Sequence, residues 1–253
     1  MSGPPEPRPR LLAEQIEWAR RTRRHPRPTQ PDFLVLRRLV QSLSTALGRI
    51  TGPVEALDVF CGTRPYEDLL PVSSRITGFD VDDHYGSADV TGADFLPFED
   101  SSYDLVLFTE GFFYLPEPVA AAEELRRVTR PGGHIVLTLP LVWEYDRRQV
   151  EHRFTSTSLA RVFDAAGWDE VEAREVGGYA VSWALLTGRI LRAGEEKLSA
   201  RGAGALARPL FAAVYLAMNA IAILADRFER RIWRPDPYAL PPDLLLTARR
   251  PPG

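Results

Sequence analysis

The chain has 253 residues, a formal net charge of -3, 45% hydrophobic residues and 26% charged residues. This composition is ordinary for a soluble globular protein, and the slightly acidic balance argues against nucleic-acid binding as its main role. The single cysteine, Cys61, excludes an intrachain disulfide and a cysteine-rich metal site. Because the first residues also lack the apolar core of a signal peptide, we expect a cytoplasmic protein.

The N-terminal part is a basic arm, residues 1–31, and we assign residues 32–253 to a single domain. Apolar positions at helical spacing predict a helix over Leu11–Arg24, and Asp32 can begin a second, amphipathic helix. The segment Arg20–Arg38 is strongly basic. Two interpretations of it stay open: a solvated arm, or a contact with an anionic partner such as a membrane surface or a phosphorylated substrate.

From Val54 onward, short apolar strands alternate with helices. Such alternation predicts a parallel sheet with helices on both faces and a ligand crevice at the carboxyl ends of the strands. We expect a helix opened by Pro65, another over Val119–Val128, and a turn at "RPGG", 130–133. The strand candidates are Ala56–Phe60, Arg75–Phe79, Ala88–Val90, Leu105–Thr109 and His134–Leu139.

The C-terminal part starts with a well-marked helix at "FTSTSLARVFDAAGW", which Thr155 or Ser156 can cap and Gly167 can end. Glu170–Val176 is the next strand candidate, and "DLLLTARR" at 243–250 is the last. The residues between these two strands are mostly helical, with a break at "SARGAGALARP".

The segment "LFAAVYLAMNAIAILA", Leu210–Ala225, is apolar except for Asn219. It is shorter than the roughly 20 residues that a membrane span needs, so we favour a buried helix or a subunit contact. Shallow membrane association stays open because arginines flank the segment. A homodimer or a peripheral membrane contact through residues 206–228 is therefore expected.

The stretch "LDVFCGTRPYEDLL", 57–70, reads as a buried strand, a glycine turn and a short helix. Asp58 can hold the loop through backbone N–H groups, and Gly62 permits close approach of a ligand. A helix start at Pro65 favours a negatively charged ligand group. Asp80, 18 residues after Gly62, is placed to accept hydrogen bonds from a ribose diol.

Four segments together resemble one family: "ALDVFCGTRPYEDLL", "ITGFDV", "LPFEDSSYDLVLF" and "EELRRVTRPGGHIVLTLP". Over roughly residues 54–178 the chain resembles the class I S-adenosylmethionine-dependent methyltransferases with a methyltransferase type 11 domain. The loop "GTRPY", with "LVWEY" and "EHRFT" further on, is similar to a subset of that group. The resemblance implies an α/β, Rossmann-like sheet of seven mostly parallel strands, with helices on both faces and an antiparallel final strand. Residues 180–242 would then be a helical insertion before the last strand.

The resemblance also implies an adenosine site. Asp80 would hold the ribose hydroxyls of S-adenosylmethionine, and Val81 could pack on the adenine. The acidic residue that usually contacts the adenine amino group is replaced by Gly92. Asp94 is our choice to take over that contact, with Asp89 as the alternative.

For the methionine end of the cofactor, the resemblance assigns the loop itself. Asp58 would shape the loop and reach the ligand ammonium through water. Phe60 stands in place of the first glycine and would either crowd the ligand or turn into the core. Arg64 could pair with the methionine carboxylate. The backbone facing this end would be that of Cys61, Gly62 and Thr63.

The acceptor is expected next to "WEYDRRQVEHRFT", 143–155. Methyl transfer mainly requires alignment and exclusion of water, with a base only if the acceptor must lose a proton. We assign His152 as the candidate base, oriented by Glu144 or by Glu151; a structural cluster of Glu151, His152 and Arg153 is the alternative. After the fourth strand, "FFY" at 112–114 offers no carboxylate or imidazole. The candidate acceptor contacts are Tyr114, Trp143, Tyr145 and Arg153.

These observations predict a methyltransferase acting on a small-molecule or glycan acceptor, with S-adenosylmethionine as cofactor and no metal. The alternative is a non-catalytic methyltransferase-like module that acts through protein or membrane contacts of its C-terminal helices. A nicotinamide-dependent dehydrogenase is disfavoured because the multi-glycine turn that a pyrophosphate requires is missing.

Overall fold

The computed structural model describes residues 13–82, 84–92, 95–145, 150–232 and 240–253. Within these ranges one seven-stranded sheet is built from β1 (Glu55–Val59), β2 (Arg75–Asp80), β3 (Val90–Thr91), β4 (Tyr103–Thr109), β5 (Thr129–Pro140), β6 (Asp169–Val176) and β7 (Asp243–Arg249). Its strand order is β3-β2-β1-β4-β5-β7-β6. β7 pairs antiparallel with both β5 and β6, whereas the other neighbouring strands are parallel.

Helices cover both faces of the sheet because the strands are apolar on both sides. On one face, Leu57 and Val106 pack against the helices that contain Leu125 and Phe163. On the other face, their chain neighbours Ala56 and Leu105 pack against Leu43. The helices are α1 (Ala13–Arg24), α2 (Phe33–Leu47), α3 (Pro118–Val128), α4 (Ser156–Ala165), α5 (Tyr179–Leu198) and α6 (Gly204–Ile232).

The insertion between β6 and β7 is an antiparallel hairpin of α5 and α6. Its bend lies at residues 199–203, where Gly202 has a φ of 85° that breaks the helical path. The Glu229 carboxylate near the end of α6 accepts hydrogen bonds from the backbone N–H groups of Tyr179 (2.9 Å) and Ala180 (3.0 Å) at the start of α5. A carboxylate at a helix N-terminus satisfies unpaired N–H groups and opposes the helix dipole, so this contact fixes the hairpin.

The inward side of α6 carries two buried polar residues, Asn219 and Asp226. Asn219 Nδ2 donates to the carbonyl oxygens of Pro28 and Gln30, both at 2.8 Å. Asp226, only 3% exposed, pairs with Arg38 of α2. The outward side is apolar, which reverses the usual arrangement of a surface helix. The expectation of a buried helix at 210–225 therefore holds for one side of α6 only.

The fold class and the strand pattern predicted from the sequence are confirmed. Thr155 caps α4 together with Ser158, and Gly167 follows the helix with a φ of 78°. Two predicted elements are wrong. The turn expected at residues 130–133 lies within β5, where the pairing with β4 shifts register between Tyr103 and Leu105. The helix expected from Pro65 is only a short 3-10 turn, Glu67–Leu69. Leu70 precedes a proline and is extended, which ends the turn. Without that helix, the anion site predicted at its start has no structural basis.

Candidate active site

The predicted cofactor loop lies at the carboxyl ends of β1 and β2, as the topology requires. The Gly62 N–H donates to the Asp80 carboxylate at 3.2 Å, and Gly62 has a φ of 52°. Burial raises the pKa of Asp80, although backbone hydrogen bonds from Gly62, Asp82 and Val81 oppose that shift. Asp80 is thus held at the tip of β2 by the loop that the sequence pairs with it. Val81, which follows it, is 47% exposed.

Phe60 adopts a left-handed backbone with a φ of 52°, a conformation that favours glycine. Its ring packs edge-on against Phe108 at 5.1 Å and Phe95 at 6.1 Å between ring centroids. Of the two alternatives, the structure has the ring packed against core aromatics. A Cβ on Gly111, at the end of β4, would lie 2.7 Å from the Phe60 ring, so these two residues are fitted to each other.

Arg64 is held by the protein itself. Its Nη1 donates to Asp89 Oδ2 at 2.8 Å, and its Nε pairs with Glu67. Asp89 also accepts a hydrogen bond from the Gly78 N–H of β2 at 2.8 Å, so it links Arg64 to this strand. Arg64 Nη2 donates to the Ile76 carbonyl at 3.3 Å, so a cofactor carboxylate would have to reach this nitrogen or displace one of the ion pairs. Its assignment to the methionine carboxylate stays a prediction.

Asp58 has the most unusual environment in the loop. It is 2% exposed, and its Oδ1 has no hydrogen-bond partner among the described residues. Burial and the neighbouring Glu67 together raise its pKa to about 8, against the opposing effect of Arg64. An unsatisfied buried carboxylate oxygen at the end of β1 fits a cationic ligand group such as the ammonium of S-adenosylmethionine.

The remaining predicted cofactor residues are Cys61, Thr63 and Asp94. Cys61 is buried, and burial raises the pKa of its thiol. Its backbone N–H donates to the Phe79 carbonyl at 3.1 Å. The Thr63 carbonyl accepts from Arg20 Nε of α1. Asp94 lies outside the described residues.

A cavity of about 320 Å³ opens at the carboxyl ends of β4 and β5, next to the start of β7. Glu110 follows β4, Pro140 ends β5 and Asp243 begins β7. This volume suits a small organic molecule. The walls are largely apolar and aromatic, formed by Trp18, Val35, Leu36, Leu39, Phe113, Tyr114, Trp143 and Leu185.

Two acidic residues, Glu110 and Asp243, line this cavity. Burial raises the pKa of Glu110, although Thr138 and Arg23 oppose the shift. Burial also raises the pKa of Asp243 well above its ordinary value, the Glu110 carboxylate adds to that, and Arg23 opposes it. Two such acids beside one guanidinium favour a state in which they retain a proton.

Helix α1 covers the cavity and the cofactor loop together. Arg23 lines the cavity; burial by itself lowers its pKa, but Tyr66, Glu110 and Asp32 raise it above its ordinary value. The next residue, Arg24, pairs with Asp68 at 2.9 Å. The basic segment therefore makes ion pairs within this chain, which neither of the two sequence interpretations had foreseen.

The segment predicted to carry the base lies at the rim of this site. His152 Nε2 is 3.3 Å from the Pro116 carbonyl oxygen, and the backbone N–H of His152 donates to the Phe113 carbonyl at 2.9 Å. Glu151 pairs with Arg153 at 2.7 Å, and Glu144 lies 3.5 Å from Arg189. These contacts match the structural alternative more closely than a base oriented by Glu144 or Glu151. His152 as base stays a prediction.

The predicted acceptor contacts are partly brought together. Tyr114 and Trp143 both line the cavity, and Arg189 lies over the Trp143 ring at 4.4 Å. Arg153 lies 5.6 Å from the centre of the Phe113 ring, while Tyr145 is 67% exposed. Residues 146–149 of the same segment lie outside the described part of the chain.

Sequence reasoning missed the acidic pair. The expectation that no carboxylate follows the fourth strand overlooked Glu110, which comes directly before "GFFY". Its place after a buried parallel strand was the same signal that identified Asp58 and Asp80. Asp243 gave a weaker signal, because its approach to Glu110 depends on the antiparallel pairing of β7. Within the described residues, no group of three His, Cys, Asp or Glu side chains is placed to hold a metal ion.

Comparisons with known proteins agree with this geometry. Residues 57–137 match the family model described as "Methyltransferase domain". An uncharacterised methyltransferase of Schizosaccharomyces pombe is 33% identical over 91 residues, covering 34% of this chain and 31% of that protein. The demethylmenaquinone methyltransferase of Staphylococcus haemolyticus is 32% identical over 99 residues, covering 32% and 41%. The matched part thus spans less than half the length of these two relatives.

Solved structures extend the likeness to most of the chain. The [4+2]-cyclase SpnF superposes with a TM-score of 0.56 at 20% identity, covering 88% of this chain and 84% of that one. A Haemonchus contortus phosphoethanolamine N-methyltransferase 2 in complex with S-adenosyl-L-methionine gives 0.54 at 13% identity, covering 85% and 52%. These likenesses show the fold alone. Together with the family match, they show that this chain has the fold of class I methyltransferases and that its residues 57–137 are similar to the methyltransferase domain family.

Proposed function

We propose that this chain is an S-adenosylmethionine-dependent methyltransferase acting on a small-molecule acceptor. The observation that carries the proposal is the junction of two sites at the end of β4. Gly111 packs against Phe60 of the cofactor loop, and Glu110, its neighbour, lines the apolar cavity. An acceptor in the cavity would therefore lie beside the cofactor crevice.

The residues supply binding and orientation. Asp58, with its unpartnered oxygen, would meet the ligand ammonium, and Asp80 would hold the ribose. The cofactor, when bound, supplies an activated methyl group. The apolar walls of the cavity and the cover given by α1 exclude water from the reacting atoms.

The walls favour a lipophilic small molecule over a glycan. Most of the lining side chains are aromatic or aliphatic, whereas a sugar needs a polar rim of hydrogen-bonding groups. Several relatives are named for demethylmenaquinone, which is in keeping with a lipophilic acceptor. The matched region spans only the cofactor-binding part, so the acceptor class rests on the cavity.

The competing function is a fold without methyl transfer. The likeness to a [4+2]-cyclase supports considering it, since one fold serves different reactions. The decisive experiment incubates the full chain with S-adenosylmethionine carrying a labelled methyl group and a panel of lipophilic aromatic acceptors. We expect labelled product from the wild type and a loss of about tenfold or more in Asp80→Ala. Cofactor binding without methyl transfer to any acceptor of the panel would support a function without methyl transfer.

We also propose a peripheral membrane contact through the outward side of α6. Its exposed apolar side chains form one stripe along the helix, formed by Leu206, Leu210, Val214, Ile221, Leu224, Phe228 and Ile232. The helical stretch Tyr179–Ile232 is long and apolar enough by composition to cross a membrane, with 28% of its most apolar window buried. The bend at Gly202 divides that stretch, so contact along one side is the better description.

Charge decides between a lipid surface and a second copy. Arg227 and Arg231 flank the stripe near the end of α6, whereas Arg208 has the same angular position on the helix as the inward-facing Asp226. Two copies that pair in parallel through this side would bring these two arginines next to their counterparts, whereas anionic headgroups would neutralise their charges. We therefore commit to an anionic lipid surface as the occupant.

A further inference from the structure

The geometry points to Glu110 as the group that takes a proton from the acceptor, with Asp243 as its positioning partner. The acceptor is then a neutral compound that carries a hydroxyl on an aromatic or enolic carbon. This inference rests on the proposed function and names the substrate class of the same site.

The backbone around Glu110 is set to aim its side chain. Its φ is 59°, a left-handed conformation that is costly for a residue with a Cβ and that recurs at functional sites. The Glu110 N–H donates to Thr138 O at 2.8 Å, which ties this strained position to β5. Oε1 is shielded from solvent and makes no hydrogen bond of good geometry within the described chain, although the Thr138 hydroxyl is close enough to lower the pKa of this carboxyl. Glu110 also lines the cavity. One carboxylate oxygen is thus available to a ligand.

The helical part of the cavity lining contributes further charged groups. Arg23 belongs to α1, Asp32 lies directly before α2, and Arg189 and Arg192 belong to α5. The Tyr66 hydroxyl lies close to Arg23, and burial raises the pKa of Tyr66 to about 12, so this tyrosine stays protonated at neutral pH.

Asp243 tunes this proton acceptor. It is 4% exposed and lines the same cavity, and Glu110 is among the groups that raise its pKa. With Arg23 beside them, the two acids favour a state of one proton and one negative charge. Such a pair can accept a proton near neutral pH, whereas an isolated exposed carboxylate is too weak a base.

The proton of the acceptor O–H group passes to Glu110 Oε1, and the acceptor oxygen uses its electron pair to form the bond to the methyl carbon. The bond from that carbon to sulfur breaks, and its electron pair stays on sulfur. The proton then leaves Glu110 to solvent when the products depart.

The walls of the cavity restrict the acceptor further. Phe113, Tyr114 and Trp143 present rings on which a flat aromatic acceptor can stack. An acceptor with its own carboxylate or phosphate next to the reacting oxygen would be repelled by the charge that Glu110 and Asp243 share. A neutral phenol or enol therefore suits the site.

The first test needs no turnover. Carbon-13 NMR titration of side-chain carboxyls on the full chain compares the wild type with Glu110→Gln and Asp243→Asn. We expect two coupled resonances that titrate above the ordinary carboxyl range, each assigned by its loss in one variant. The Glu110 resonance should move to lower pKa in Asp243→Asn. Ordinary, uncoupled titration of both groups would overturn the inference.

The second test measures S-adenosylhomocysteine release with a panel of neutral phenols and matched aromatic amines. Glu110→Gln should lower kcat for phenols by about 10²-fold or more and remove the rise of rate with pH. Glu123→Gln, an exposed carboxylate change on α3, is the matched control. Full activity of Glu110→Gln, or turnover of amines only, would refute the role.

These outcomes are distinguishable from failure of the proposed function. Calorimetric titration with S-adenosylhomocysteine reports cofactor binding independently of Glu110. If the wild type binds it and Glu110→Gln has no effect on phenol transfer, only the inference fails. If the wild type does not bind it, the proposed function fails.

Discussion

Replacing Asp58 by asparagine tests the electrostatics of the cofactor loop. In the wild type, burial raises the pKa of Asp58 from its ordinary 3.8 to about 8, so the folded state prefers the protonated acid. A folded-state pKa above the unfolded value makes the fold lose stability as pH rises between the two values. The loss should run from about pH 4 to pH 8 and level off above that.

The size of the effect follows from the same shift. Between pH 6 and pH 9, ionising this one acid should lower the free energy of unfolding by about 2 to 3 kcal/mol. Asparagine cannot ionise, so the Asp58→Asn variant should lack that part of the pH dependence. For a chain of this length the difference corresponds to about 5 to 10 °C in Tm.

The assay is urea unfolding at pH 6 and pH 9 for the wild type, Asp58→Asn and a control, Asp104→Asn. Partial burial alone would raise the pKa of Asp104, but hydrogen bonds from Arg130 and the Glu55 N–H lower it below its ordinary value. The Asp104 change should therefore cost the same at both pH values. An equal pH dependence in the wild type and Asp58→Asn would refute the account of this carboxylate.

Two further predictions concern packing and the outward side of α6. Gly111→Ala should destabilise the fold by about 1 to 3 kcal/mol in urea unfolding. The reason is that the new Cβ would lie 2.5 Å from the Phe108 ring and 2.7 Å from the Phe60 ring. An unchanged unfolding midpoint would show that these rings can move apart. The double change Ile221→Glu and Leu224→Glu replaces side chains that are 59% and 65% exposed. It should abolish co-sedimentation with vesicles containing phosphatidylglycerol while changing Tm by no more than about 2 °C. Vesicle binding that survives the double change, or wild-type self-association instead of vesicle binding, would contradict the lipid contact.

The sheet could be predicted from the sequence because its signals are local. Short apolar strands, the capped helix after Thr155 and the loop glycine each identify one element, and parallel alternation leaves few topologies. The 3-10 turn was missed because Leu70 before a proline outweighed the helix start at Pro65. The site depended on long-range contacts: the approach of Arg23 and Asp243 to Glu110 joins three distant parts of the chain.

The orientation of the apolar segment in α6 also depends on contacts that are distant in sequence. Its sequence shows one polar residue in an apolar run, which is compatible with burial on every side. The contact of Asn219 with the carbonyls of Pro28 and Gln30 fixes which side faces the protein. Only that orientation shows the leucines to lie outside.

The central claim is that the crevice at the ends of β1 and β2 holds S-adenosylmethionine. Calorimetric titration of the full chain with S-adenosylhomocysteine tests it most directly, with Asp80→Ala as the perturbation and Asp164→Ala, an exposed acid on α4, as the control. The account predicts saturable binding of one ligand per chain by the wild type and the control. Asp80→Ala should weaken it by about 10- to 100-fold, the cost of charged hydrogen bonds to the ribose. Absence of binding to the wild type, or equal affinity in all three proteins, would contradict the claim.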